Sequence, residues 1–249
     1  IVHGGGHGDY KVIALAPASV QEAVDLTVLA FDLAEKYRTI AVVLMDGALG
    51  QMMEPCELPE MRPLPGVSKE PWAVTGMMGE RDRRYLSSIY MAPPEEEIAN
   101  FRMMRNWQKI QENEVLYKEY FMDDAEFAVI GFGSGGRIAL SAVRAARAEG
   151  IKVGLLRPVT VAPFPTSAVE ALVNKVKGIL VTEMNGGQML LDVEAVIKGR
   201  VPVEFYGRVG GIVPFPDEIL AEIRRIAKGP IPTAGTAHDR WLDRMTNGK

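Results

Sequence analysis

Three clusters in this 249-residue chain carry side chains or turns that could do chemistry. The first is Gly131, Gly133 and Gly136, which fit G-x-G-x-x-G. Glycines at that spacing let backbone N–H groups approach a pyrophosphate at a helix N-terminus. The dinucleotide fingerprint also wants an acid about 20 residues on, where the next strand ends, for a ribose hydroxyl. That strand ends Leu155-Leu156-Arg157-Pro158, so the acid is missing and Arg157 would suit a 2′-phosphate. The same glycines equally permit a tight turn and close helix–strand packing with nothing bound. An NADP-binding oxidoreductase domain using Gly131–Gly136 is therefore one reading, and a non-catalytic assembly subunit is another.

The second cluster is the loop from His3 to His7, Gly8 and Asp9. His3 and His7 are four apart, but on glycine-rich backbone rather than a helix, so the spacing does not align them on a metal. The third is Asp46, Glu183 and Asn185, each at an expected strand end, where open α/β sheets bind ligands. Each has a commoner task, either capping the next helix or bonding turn amides. No glycine-flanked serine comes with a plausible histidine, and no Walker A sequence occurs.

The elements that must position these groups alternate. Lys11–Ala16 reads as a buried strand, and Ser19 with Glu22 forms a capping box for a helix ending near Tyr37. Ile40–Met45 reads as a second buried strand. Two strands and one helix cannot enclose a core. This half-sheet must either pack on the later half or be completed by sequence before Ile1, and the second is the expectation. Gly50–Arg84, including Pro63-Leu64-Pro65, reads as an irregular excursion. Glu95–Glu119 reads as a linking helix whose Ile98, Phe101, Met104, Trp107 and Ile110 are core packing.

From about Asp123 the pattern is strand (Phe127–Ile130), glycine turn, helix (Ile138–Glu149), strand (Lys152–Leu156) and a proline-punctuated loop over Arg157–Pro165. A helix over Ala168–Lys177 follows, capped by Ser167, then a strand, Gly178–Thr182. The turn Glu183–Gln188 opens a helix, Met189–Lys198, before an edge strand, Val201–Tyr206, and a helix, Asp217–Lys228. The sequence thus divides into 1–92, a linking helix 93–122, a parallel α/β half 123–228 and a weakly held tail 229–249 with Trp241 as its large anchor.

Composition narrows the function classes. The apolar share of 47% and charged share of 24% are those of an ordinary globular protein. The net charge of −4, without a basic run, disfavours nucleic acid and anionic membranes. No apolar stretch is long enough to span a bilayer, and no signal peptide is legible. Cys56 is the single cysteine, so no intrachain disulfide forms, which fits a cytoplasmic location. An iron–sulfur cluster needs about four thiolates, so any cluster sits on a partner.

Several stretches together resemble the alpha subunits of 2-oxoacid:ferredoxin oxidoreductases. They are His7-Gly8-Asp9, Leu15–Ala23, Phe31–Arg38, Gly50–Pro55, Glu183–Gln188 and Glu204–Arg208, and the branched-chain (2-oxoisovalerate) type is the nearest in character. The resemblance implies a thiamine-diphosphate pyrimidine-type domain followed by a transketolase C-terminal-like α/β domain. It implies oxidative decarboxylation of a 2-oxoacid to acyl-CoA and CO2, with electrons passed to ferredoxin. Thiamine diphosphate, magnesium and iron–sulfur clusters would be held mainly by other segments and by beta, gamma and delta partners. The family's activating glutamate and Tyr-Pro-x-Thr-Pro loop do not occur here, so the N-terminal part of the pyrimidine domain is expected to precede this chain. His7 and Asp9, on a loop that resembles a family signature, become the candidate catalytic residues. The glycine turn becomes architectural.

Overall fold

Ser19 starts the first helix for a local reason. Its Oγ accepts the Glu22 amide at 3.1 Å, while the Glu22 carboxylate accepts the Ala18 amide at 2.9 Å. The computed structural model describes residues 2–61, 70, 72–77, 82–232 and 234–247. The Pro63-Leu64-Pro65 segment lies outside the described residues.

In chain order the first elements are β1 (Ile13–Leu15), α1 (Val20–Tyr37), β2 (Ala41–Val43), α2 (Gly47–Gly50) and α3 (Pro93–Asn113). Then come β3 (Tyr117–Tyr120), β4 (Phe127–Ile130), α4 (Gly133–Ala148), β5 (Val153–Pro158), β6 (Thr160–Ala162) and α5 (Thr166–Leu172). The last are β7 (Gly178–Glu183), α6 (Gln188–Ile197), β8 (Val203–Gly207), α7 (Pro216–Lys228) and α8 (Ala237–Asn247).

The larger sheet has the order β3-β5-β4-β7-β8. Its inner strands are parallel, and β3 adds an antiparallel edge. β8, the strand preceded by Pro202, lies at the other edge, as the proline requires. Apolar faces of α4, α6 and α7 cover this sheet, with Val129, Leu155, Leu180 and Phe205 among the fully buried strand residues.

The smaller sheet has the order β2-β1-β6. β1 runs parallel to β2 and antiparallel to β6, a strand contributed by the later half. Both edges of β1 are therefore paired, and the half-sheet draws on the later half rather than leaving an open edge at β1. Leu26, Ala30 and Leu33 of α1 pack on Ile13 and Leu15, with Ile110 closing the cluster. β2 is half-buried, not buried as its apolar run suggested.

Four local readings need correction. The linking helix ends at Asn113, and Tyr117–Tyr120 turn into strand β3 because the β5 edge supplies hydrogen-bond partners. The stripe on α3 is mostly not core: Ile110 is buried, but Ile98, Phe101 and Met104 are exposed. The proline-punctuated loop contains β6, whose register is fixed when Thr160 Oγ1 accepts the Leu116 amide at 2.9 Å. Nor is the tail weakly held, since it forms α8, which buries Trp241 against β8.

Candidate ligand cleft between the two sheets

The carboxyl ends of β2, β4 and β7 converge with Val2 and His3 on a cleft of about 330 Å³. Asp46 approaches from the smaller sheet, and the Phe132–Gly135 turn and Glu183–Asn185 from the larger one. This is where parallel α/β sheets offer backbone amides and polar side chains to a ligand.

The glycine turn is built by packing. Helix α4 begins within it, at Gly133, whose φ of 53° is left-handed. A Cβ on Gly136 would sit 2.5 Å from the Gly131 carbonyl oxygen and 2.9 Å from Arg157 Cγ. One on Gly131 would sit 2.9 Å from Thr182 Cγ2. Arg157 is almost wholly buried and grips Glu22 through two hydrogen bonds, of 3.0 and 2.6 Å. It cannot read a 2′-phosphate from that position, so the NADP reading loses its one charged contact. Burial works to raise the Glu22 carboxyl, but Lys118, the Ala18 amide and Arg157 outweigh it and hold the group below the ordinary carboxylate range.

The acids of the cleft are mostly engaged in architecture. Asp46 Oδ1 accepts the Ala48 and Leu49 amides, both at 3.0 Å, and caps α2. Asn185 Oδ1 accepts the Gly187 and Gln188 amides at 2.8 and 2.9 Å. Glu183 accepts the Met189 and Leu190 amides, both at 2.9 Å, at the start of α6. Burial pushes its carboxyl up, and those amides only partly offset the rise. Asp192 is also raised by burial, against the opposing pull of His3, whose Nε2 lies 3.2 Å away. Ser134, on the cleft wall, has a buried Oγ with no hydrogen-bond partner among the described residues.

His7 and Asp9 are exposed on the loop after His3 and do not line this cleft. His3 does line it, through its pairing with Asp192. Sequence reasoning missed that pair because Asp192 sits inside a helix with no motif around it. Among the described residues no group of three or more His, Cys, Asp or Glu side chains is placed to hold a metal, and Cys56 is exposed. These residues do not fit the magnesium of a diphosphate site or an iron–sulfur cluster. Among the described residues no helix is long and apolar enough to cross a membrane.

Two family models match this chain in succession. Residues 5–106 match the thiamine-diphosphate-binding domain of pyruvate flavodoxin/ferredoxin oxidoreductases. Residues 125–223 match core domain II of pyruvate:ferredoxin oxidoreductase. Ketoisovalerate oxidoreductase subunit VorB of Methanothermobacter thermautotrophicus is 44% identical over 229 residues, covering 91% of this chain and 64% of that protein. The 2-oxoglutarate synthase subunit KorA of Methanocaldococcus jannaschii is 35% identical over 240 residues, covering 86% of this chain and 64% of that protein. The chain thus spans less than two thirds of the length of either relative. A solved 2-oxoglutarate:ferredoxin oxidoreductase from Magnetococcus marinus superposes with a TM-score of 0.69 at 20% identity, over 90% of this chain and 44% of that one, which is likeness of fold.

Proposed function

This chain belongs to the 2-oxoacid:ferredoxin oxidoreductase family, and we propose that it is the alpha-subunit part that builds one wall of the reaction cleft. The reaction is the oxidative decarboxylation of a branched-chain 2-oxoacid to its acyl-CoA and CO2, with ferredoxin as electron acceptor. The 44% identity with a ketoisovalerate oxidoreductase subunit carries the choice of substrate class. In this reading residues 1–92 are the pyrimidine-type part, 123–228 the transketolase C-terminal-like part, and 93–122 the link. Thiamine diphosphate, when bound, supplies the carbanion-stabilising chemistry. Its magnesium and the iron–sulfur clusters belong to beta, gamma and delta partners in a cytoplasmic complex.

Most of the work left to this chain is positional, with His7 as its one candidate for proton transfer. Its β1, β2 and β6 sheet and its glycine turn hold the cleft rigid, and the loop carrying His7 and Asp9 presents both side chains to solvent, open to a partner-borne cofactor. His7 is the proton relay or substrate-orienting group in this proposal, and Asp9 its neighbour on the same loop.

The test is reconstitution of the full-length subunit with its partner chains. We expect 2-oxoisovalerate- and CoA-dependent ferredoxin reduction that requires added thiamine diphosphate. His7→Ala should lower kcat at least tenfold. Turnover indifferent to thiamine diphosphate would overturn the function, whereas wild-type turnover of His7→Ala would remove only that residue from the mechanism.

A further inference from the structure

Helix α4 begins with backbone amides that the fold does not use. Phe132 stands at its N-cap without a side-chain acceptor, and the first turn holds no acid. The helical ladder starts where the Gly136 amide donates to the Phe132 carbonyl at 2.9 Å. The amides of Gly133, Ser134 and Gly135 come before it and have no acceptor among the described residues. All three residues line the cleft between the two sheets.

Ser134 adds an independent observation. The residue is 5% exposed and lines the cleft, yet its Oγ has no hydrogen-bond partner among the described residues. A buried hydroxyl is ordinarily bonded, because leaving it unpaired costs free energy. This Oγ belongs to the same turn as the three amides, so an acceptor seated on them is within its reach.

The rest of the wall selects the ligand. Asp46, Glu183 and Asp192 line the cleft, and among the described residues no Lys or Arg side chain does. His3, the other basic group there, faces Asp192 at 3.2 Å. The positive end of one helix carries roughly half an elementary charge, which suits a single negative charge. A phosphate dianion or a dicarboxylate would bring a second charge toward three acids with no free cation to meet it. Leu44, Met45, Phe132, Val161, Met184 and Met189 supply the apolar wall, and the methionines adapt to the shape of a guest. At about 330 Å³ the cleft is at the small end of ligand pockets.

We propose that the start of α4 is a carboxylate seat. A small monocarboxylate with a short apolar tail binds in the cleft, its oxygens on Ser134 Oγ and the Gly133–Gly135 amides and its tail among the apolar side chains. The seat is read from the cleft alone and does not depend on the reaction assigned to the complex.

The experiment is calorimetric titration of the full-length chain, free of thiamine diphosphate and partner chains. The probes are 3-methylbutanoate, 2-oxoisovalerate, 3-methylbutanamide, succinate and inorganic phosphate. Both branched monocarboxylates should bind one to one, with a Kd of about 1 mM or tighter. The amide keeps the shape but not the charge, and it should bind about tenfold more weakly or worse, as should succinate and phosphate. Ser134→Ala removes only the hydroxyl. It should weaken the monocarboxylates about tenfold, the worth of a hydrogen bond to a charged group. The Tm should hold or rise, because alanine is the better helix former. Ser134→Asp carries its own carboxylate to the amides and should abolish binding. A wild type that binds neither monocarboxylate overturns the proposal. So does amide or phosphate binding as tight as that of 3-methylbutanoate, or a Ser134→Ala chain with wild-type affinity. Far-ultraviolet circular dichroism checks the fold of each variant, and Ser134→Ala decides if Ser134→Asp does not fold.

Discussion

The Arg157 guanidinium meets the Glu22 carboxylate end-on, donating from Nη1 and Nη2 at 3.0 and 2.6 Å, and in doing so ties α1 of the smaller sheet to β5 of the larger one. Lys118 from β3 adds a third contact to the same carboxylate at 2.7 Å. The pair sits behind the glycine turn, where Gly136 touches the Arg157 stem. This ion pair thus joins the two halves beside the cleft, in addition to the pairing of β6 with β1.

Removing one partner should be costly. In Glu22→Ala the buried Arg157 charge loses its counter-ion, and breaking a buried pair from one side costs about 3–5 kcal/mol. Urea unfolding should show a loss of that size, and Glu22→Leu combined with Arg157→Leu should recover much of it. A loss below about 1 kcal/mol, the scale of a solvated surface pair, would mean that water reaches Arg157 and that the pair is not the tie between the sheets.

The two inner glycines of the turn should differ sharply. Gly136→Ala must displace the Gly131 carbonyl, so overpacking should cost about 1–3 kcal/mol. A Cβ on Gly135 meets nothing closer than 3.8 Å, and alanine is the better helix former, so Gly135→Ala should be neutral or slightly stabilising. NADPH should raise the Tm of neither variant nor of the wild type, because Arg157 is already engaged. Thermal shifts measured with and without the nucleotide check both statements together.

The βαβ units, the capping box at Ser19 and the edge position of β8 were all legible in the sequence, because each is written in local spacing or in a proline. β6 was not. Thr160–Ala162 is three residues between prolines, and it becomes a strand only because β1, more than a hundred residues earlier, offers its edge. Nor was the end of α3, since Tyr117–Tyr120 change from helix to strand through pairing with β5. At the site, Asp46, Glu183 and Asn185 stood out by lying at strand ends, and their expected bonds to turn amides are those found. The His3–Asp192 contact joins a loop and a helix with no shared pattern, and only tertiary structure brings them together.

Asp192 makes neutral pH less favourable to the fold. Burial raises its carboxyl, and His3 only partly compensates. A carboxyl raised in the folded state contributes fully below its unfolded value, about 3.9, and that contribution is lost as pH rises through the raised value. Asp192→Asn should therefore raise the Tm at pH 8, and the gain should shrink to nothing as the pH falls below about 3.9. An advantage that persists at low pH would point to packing rather than charge as its source.

The last helix tests whether the C-terminal segment belongs to the fold. Trp241 is buried, packs edge-on against Phe205 at 5.1 Å and donates its Nε1 hydrogen to the Gly207 carbonyl at 3.1 Å. Beside it, Arg240 and Arg244 join Arg225 around the fully buried Glu204 carboxylate, at 2.5, 3.0 and 2.5 Å. Trp241→Ala removes a large side chain from a dry contact, which costs about 3–5 kcal/mol. Trp241→Phe keeps the ring contact and should lose far less. Removing α8 whole should be worse than Trp241→Ala, because Glu204 would keep only Arg225 and a buried charge would be undercompensated. Chemical denaturation of the three variants should therefore rank Trp241→Phe above Trp241→Ala above the truncation. If the truncated chain matched the wild type, α8 would be an appendage, and the Glu204 cluster would not be what holds β8 at the sheet edge.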